Sequence, residues 1–297
     1  MAELILPKQW GIIPFMPSQL ARSITIAHSP DPDDAFLFYG MTHGKIGRPG
    51  LVFEHLLQDI ESLNRWALEG RFEITAMSVH AYAHAADRYV ILPYGTSMGV
   101  RYGPILVSRT PMTLNQLKGE IIAVPGLLTT AFALLKMVLP ECRTEVVPFD
   151  QIMSAVKEGR FKAGLLIHEG QLTYAKEGFH PVVDFGVWWQ NTMNLPLPLG
   201  LNCVRKDLGE PVMKELSQLL LESIAYGRTH RDEAVGYAMQ YGRGLARDLT
   251  DRFVDMYVNE YAVELGEEGR RSIAVLLKKM HEVGIVSRLV IPEFVES

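Results

Sequence analysis

Short apolar runs alternate with amphipathic stretches through the first two hundred residues. Ser23–Ala27, Leu51–Leu56, Glu73–Met77, Tyr89–Pro93, Pro104–Ser108, Ile121–Val124, Thr144–Val147, Gly164–Ile167 and Pro181–Phe185 are each too brief for a helix, and turn residues bound them. They read as strands buried in a sheet. Between them, Ala35–Met41, Asp59–Leu68, Val79–Ala86, Ala131–Val138 and Asp150–Lys157 read as helices. That alternation predicts an α/β fold with helices flanking mixed sheets. From Glu210 onward the period changes. Met213, Leu216, Leu220 and Ile224 step at three and four residues, as do Phe253, Tyr257 and Tyr261, and Ile273, Leu276, Leu277 and Met280. These faces predict helices packed as a scaffold on the first lobe.

The pattern also repeats. Glu69–Gly70–Arg71–Phe72 recurs as Glu158–Gly159–Arg160–Phe161. Each copy follows an acidic start and an amphipathic helix, and each precedes a short apolar strand. Ser78 and His80 follow the first strand, and His168 follows the second. The order predicts two similar lobes with a cleft between them. Residues 22–103 with 201–297 form lobe one, 104–200 form lobe two, and two crossings make a hinge. Gly95–Gly103, which holds Thr96, Ser97 and Arg101, carries the chain towards the first crossing.

In open α/β sheets, ligands sit in the crevice beyond the strand carboxyl ends. Three junctions fall there. His168 and Glu169 follow the Gly164–Ile167 strand, and a histidine at that place can take or give a proton near neutral pH. The plainer account is a surface histidine with a solvated glutamate beside it. In the second junction, His28–Ser29–Pro30–Asp31–Pro32–Asp33–Asp34 joins a strand to a helix. Its prolines delay the helix until Asp33, which is placed to cap it. Ser29, Asp31, Asp33 and Asp34 then face the cleft, and three carboxylates are more than a cap requires. The third junction runs from Pro125 through Thr129 and Thr130 into the next helix. Its unpaired N–H groups and two hydroxyls make an anion seat, in which one threonine caps and the other is spare. It is not a phosphate-binding P-loop, because no Gly-Lys-Ser/Thr follows. Ser78 begins the Val79 helix on the same side. Trp188 and Trp189 form either packing or a flat wall for a planar ligand.

The composition narrows these readings. The chain has 297 residues, 48% hydrophobic and 21% charged, with a net charge of −5. That charge argues against nucleic-acid or anionic-membrane binding, which needs a basic face. Cys142 and Cys203 have no metal-site spacing and fit a reducing compartment. The segment 1–21 reads as an extension that packs on the body. Lys8 is its only lysine, and Pro14 and Pro17 interrupt its apolar stretch, so it is not a secretion signal. No run approaches the ~18 apolar residues of a membrane span. The expectation is a cytoplasmic protein.

His28–Tyr39 (HSPDPDDAFLFY), Pro125–Ala131 (PGLLTTA), Leu166–Tyr174 (LIHEGQLTY) and Trp188–Gly200 (WWQNTMNLPLPLG) resemble the 1,4-dihydroxy-6-naphthoate synthase family. The resemblance spans roughly residues 23 to 285. It implies a two-lobe fold like the type II periplasmic binding proteins. It also implies a lyase that converts cyclic dehypoxanthine futalosine to 1,4-dihydroxy-6-naphthoate on the futalosine route to menaquinone. By the same resemblance His168 matches the catalytic base, Thr129 and Thr130 match a ligand-binding pair, and Ser78 falls where a cleft serine is expected. Ser29, Asp31 and Asp33 join them as substrate contacts, with Glu169 and Asp34 in support. The implied substrate is a small aromatic carboxylate. No metal, cofactor or nucleic-acid partner is implied, and the protein is expected to be a monomer or homodimer. The family's usual SPCPND loop reads SPDPDD here, so Asp31 and Asp33 stand for a cysteine and an asparagine. Both ionised, they would repel an anionic substrate; crowding can instead raise one pKa so that it donates a hydrogen bond. Two rivals remain: a non-catalytic solute-binding protein of the same fold, and chorismate dehydratase, a sister family that shares the fold but not the LIHEG motif.

Overall fold

The computed structural model describes residues 22–296, so the extension read over residues 1–21 lies outside the described residues. The strands are β1 (Arg22–His28), β2 (Leu51–Leu57), β3 (Ile74–Ser78), β4 (Tyr89–Ile91), β5 (Ser97–Gly99), β6 (Ile105–Ser108), β7 (Ile121–Val124), β8 (Arg143–Val146), β9 (Ala163–Leu166), β10 (His180–Asp184) and β11 (Leu197–Arg205). They form two mixed sheets flanked by helices. The first runs β2–β1–β3–β11–β4, with β5 also on β11, and the second runs β10–β6–β9–β7–β8. In the first, β1 lies parallel to β2 and β3 while β11 returns antiparallel. In the second, β7 lies parallel to β8 and β9 while β6 is antiparallel to β9. The strand read as Gly164–Ile167 begins and ends one residue earlier, which leaves Ile167 and His168 free of the ladder.

The repeated Glu-Gly-Arg-Phe has a backbone reason. Gly70 ends the helix Ile60–Glu69 in the left-handed region, at φ 73°, and Gly159 follows the helix Ile152–Lys157 at φ 80°. A side chain resists that conformation, and glycine does not. Each glycine turns its helix back into a parallel strand, β3 or β9, and so aims that strand's carboxyl end at the space between the sheets.

An apolar base lies beneath that space. One buried cluster joins Met77, Tyr82 and Met98 to Leu106, Ile122 and Leu165 of the second sheet, with Phe185 and Trp189 between. The helix Glu210–Thr229 lays Leu216, Leu219, Leu220 and Ile224 on Ile24 and Ile26 of β1. Each such burial is worth about 1.5–3 kcal/mol against exposure, so packing rather than helix propensity holds this scaffold. Trp188 and Trp189 sit on the helix Phe185–Met193; Trp189 is fully buried, and its Nε1–H donates to the Pro196 carbonyl at 3.1 Å. The tryptophan pair is packing.

The first crossing passes through Tyr102. Its hydroxyl bonds to the Met256 carbonyl and accepts from Asn259 Nδ2 at 3.1 Å, while Phe185 N–H donates to the Pro104 carbonyl at 3.0 Å. Gly186 lies against the same turn: a Cβ there would sit 2.1 Å from the Tyr102 carbonyl carbon. Backbone cannot yield cheaply at such a contact. Gly186→Ala is therefore expected to cost at least about 2–3 kcal/mol, read as a lower urea midpoint. An unchanged midpoint would show that the crossing is not held at this contact.

Candidate active site

The carboxyl ends of β1, β3 and β9, with the loop after β7, converge on one cavity. It encloses about 690 Å³ of non-atom space, part of it open to solvent, and is lined by Ser29, Asp31, Asp33, Asp34, Ser78, Thr129, Thr130 and His168 among others. Glu169 is not among the lining residues.

The loop after β1 sets most of the charge. The helix begins at Pro32, not at Asp33, and Asp31 holds the capping position at φ −132° without a side-chain cap bond. The reading of Asp33 as cap is thus corrected. Proline is tolerated at the first helical position because its missing N–H has no partner there anyway, so Pro32 opens the helix instead of delaying it. Asp33 and Asp34 then fall in the first turn, both buried. Asp34 Oδ2 accepts from the Ser29 N–H at 3.2 Å. Asp31 Oδ2 lies 2.9 Å from His168 Nδ1, so this contact joins the end of β1 in one sheet to the end of β9 in the other. Burial raises the Asp33 and Asp34 carboxyls well above the ordinary range, and repulsion by Asp31 adds to it. Burial pushes Asp31 the same way, but attraction and the hydrogen bond from His168 prevail and hold it at about 2. Next to them His28, at the end of β1, is held down to about 3 by burial and by His55; its ring stacks on Phe38 as a neutral part of the core. The crowding expected of the SPDPDD loop is therefore present, and it acts on two carboxyls.

His168 has φ 52°, a left-handed conformation uncommon for a side-chain-bearing residue. The Phe149 ring meets the imidazole edge-on at 4.9 Å. Glu169 turns away: its Oε2 accepts from Arg243 Nη1 at 2.8 Å, and Arg243 Nη2 donates to the Pro30 carbonyl at 2.8 Å. The guanidinium also lies over Phe149, 4.5 Å from the ring centre. Tyr257 and Gln171 add another tie, hydroxyl to amide, at 2.7 Å.

The opposite wall differs from the expected anion seat. Thr129 caps its helix, accepting from the Phe132 N–H at 3.1 Å and donating to the Gly126 carbonyl at 3.0 Å. Thr130 is not spare. Its hydroxyl donates to the Leu199 carbonyl at 2.7 Å and accepts from the Val79 N–H at 3.0 Å, which stitches three elements together. The Leu128 N–H is taken by Glu61 Oε2 at 3.0 Å. The seat shrinks to the cavity-lining first turn at Thr130 and Ala131, whose N–H groups no intrahelical carbonyl can reach. Ser78 exchanges bonds with Asn64, whose Oδ1 accepts from its N–H at 2.8 Å and whose Nδ2 donates to its Oγ at 3.1 Å. Among the described residues, no lysine or arginine lines the cavity.

Several lining residues carried no local signal. Phe253 and Tyr257 belong to a helix read as pure scaffold, Gln171 lies within the LIHEGQLTY stretch without a role assigned to it, Ser97 belongs to the glycine-rich connection, and Asn202 sits in a segment with no motif. Oxygens of Asp31, Asp33 and Asp34 lie within 4.8 Å of one another, close enough for a hard cation, but His168 and the Ser29 N–H already engage two of them. Among the described residues, no helix is long and apolar enough to cross a membrane.

A family model described as menaquinone biosynthesis matches residues 24–282. A Thermus thermophilus protein named 1,4-dihydroxy-6-naphtoate synthase is 39% identical over 274 residues, 92% of this chain and 100% of that one. A crystal structure of an Archaeoglobus fulgidus protein matches at TM-score 0.85 and 44% identity, covering 89% of this chain and 98% of that one. The periplasmic aliphatic sulphonate binding protein of Escherichia coli matches at TM-score 0.61 and 13% identity, covering 93% and 94%. That likeness concerns the fold alone: two sheets closing on a ligand space, as in periplasmic binding proteins.

The raised carboxyls give a pH-dependent prediction. A carboxyl with a raised folded pKa stabilises the fold below its ordinary value of 3.8 and loses that contribution as pH rises through the folded value. Asp33→Asn is therefore expected to be more stable than the wild type at pH 7, by about 1–2 kcal/mol, with the gap closing towards pH 4. Denaturant midpoints at the two pH values check it, and a less stable variant at pH 7 would contradict it.

Proposed function

This chain belongs to the menaquinone-biosynthesis family whose model it matches, and on that footing we propose that it is the lyase that converts cyclic dehypoxanthine futalosine to 1,4-dihydroxy-6-naphthoate, with His168 as general base. Its place among enzymes of menaquinone biosynthesis follows from the family. The substrate, the bond broken and the role of His168 are the further step.

One observation carries that step: among the described residues, His168 is the sole histidine lining the cavity. The other titratable groups on its walls are the three aspartates and Tyr257. Burial disfavours ionisation of Asp33, Asp34 and the Tyr257 phenol, and Asp31 is engaged by the imidazole. Breaking a carbon–carbon bond towards an aromatic product needs a proton removed beside a carbonyl. A neutral imidazole within reach of that carbon is suited to take it. Among the described residues Nε2 of His168 has no protein partner, so its lone pair is available to a ligand. The cavity walls are largely apolar around Ile60, Met77, Leu199 and Phe253, which suits a fused aromatic ring.

The carboxylate of such a ligand would rest on N–H groups and hydroxyls, because among the described residues no cationic side chain lines the space. The first turn at Thr130 and Ala131 supplies N–H groups, and Ser29, Ser78 and Ser97 supply hydroxyls. Neutral Asp33 and Asp34 can donate where ionised carboxylates would repel. Residues 22–103 with 201–297 act as one lobe and 104–200 as the other, and closure about the two crossings excludes water from the reacting centre. The protein works in the cytoplasm, as a monomer or homodimer.

Incubation with cyclic dehypoxanthine futalosine should release the naphthoate, followed by its absorbance. His168→Ala should still bind the product while turnover falls by a factor of about 10² to 10⁴. Turnover within tenfold of the wild type would refute the base assignment. Binding without turnover in the wild type would favour a solute-binding role, and consumption of chorismate instead would favour the dehydratase.

A further inference from the structure

We propose that Asp31 is the positioning residue for His168: its carboxylate reaches across from the other sheet, accepts the Nδ1 proton and leaves Nε2 bare towards the ligand. The inference rests on His168 being the base and adds the group that makes it one.

The contact is 2.9 Å between Asp31 Oδ2 and His168 Nδ1, with the Asp31 side chain 3% exposed and that of His168 15% exposed. A neutral imidazole carries one N–H. A carboxylate acceptor at Nδ1 fixes the proton there and puts the lone pair on Nε2. When Nε2 takes a proton from substrate, the ring becomes an imidazolium, and the carboxylate beside it offsets the charge in a water-poor site. The proton moves from carbon to Nε2, and the Nδ1 proton stays in place.

Two rival assignments fail on geometry. Glu169 follows His168 in sequence, yet its carboxylate is bound to Arg243. Asp31 as a mere helix cap is excluded because its side chain makes no cap bond although it occupies the cap position. The other titratable or charged groups near the ring are Asp33 and Asp34 from the first turn of the Pro32–Thr42 helix, Tyr257 from the Arg247–Tyr257 helix, Arg243, and His28 at the end of β1. Among the described residues none of them sets a polar atom against the imidazole nitrogens, whereas Asp31 does. Phe149 braces the ring from the side. Because Asp31 follows β1 and His168 follows β9, the pair exists only when the two sheets are together. Arg243, bonded to Pro30 on one side and Glu169 on the other, ties the neighbouring residues of both partners.

The test uses the full chain labelled with ¹⁵N-histidine, with the His168 resonances assigned by their loss in His168→Ala. In the neutral ring of the wild type the proton should reside on Nδ1, and in Asp31→Asn that single tautomer should be lost. A wild-type ring protonated on Nε2 overturns the proposal, and this measurement needs neither substrate nor a stable variant. In turnover, Asp31→Asn should lower kcat by a factor of about 10² to 10⁴ while affinity for the naphthoate changes less than about threefold. A kcat within tenfold of the wild type, or a fall explained by lost binding alone, also overturns it. Failure of the wild type to act on the futalosine compound would count against the lyase reading and leave the tautomer to decide the role of Asp31.

Discussion

One close contact, 2.9 Å between His168 Nδ1 and Asp31 Oδ2, links the two sheets above the cavity. Everything around it keeps that distance short. The apolar cluster beneath fixes how closely the sheets approach. Thr130 ties the helix after β7 to Val79 and to β11, Glu61 holds the Leu128 amide, and Arg243 clasps Pro30 and Glu169. Each of these ties bridges segments carried by different sheets. A buried charge pair adds little net stability, because desolvation offsets most of the attraction, whereas removing one partner costs about 3–5 kcal/mol. The value of the pair lies in geometry: a proton acceptor whose direction is set by the closed arrangement.

The charges follow the same logic. Three carboxylates crowd one helix start, and only the one facing an imidazole is held low. Asp31 contributes stability that is present above its ordinary value of 3.8 and lost as pH falls through about 2. Asp33 and Asp34 contribute with the opposite sign and lose stability as pH rises. The loop is thus a local compromise that a fold under pressure for stability alone would not keep. Such local conflicts are expected at functional sites. Among the described residues no lysine or arginine lines the cavity, and its walls set one ionised carboxylate, Asp31, beside acids that burial keeps protonated, amides and hydroxyls.

Much of this was legible in the sequence because short apolar runs and their glycine turns dictate strands and crossovers locally. Gly70 and Gly159 gave away the repeat, since each must adopt a left-handed turn to start its strand. Strand ends then located Ser29, Asp31, Ser78 and His168 around one space. What was not legible depends on distant partners. The helix start at Pro32 was missed because proline as a helix breaker was weighed above proline as a first residue. The second threonine was read as spare because its partners, Val79 and Leu199, are remote in sequence. Tyr257 and Arg243 come from a helix face and a loop with no chemical signature of their own. The Thr129 helix looked like an open anion seat because nothing near it in sequence announces the Glu61 carboxylate.

The most direct test of the central claim is a crystal structure of the full chain with the naphthoate bound. The aromatic ring should lie between the two sheets. The His168 Nε2 should lie within hydrogen-bond reach of the ligand, and Nδ1 should still lie on Asp31. A ligand seated elsewhere, or bound with the imidazole released from Asp31 and turned to solvent, would contradict it.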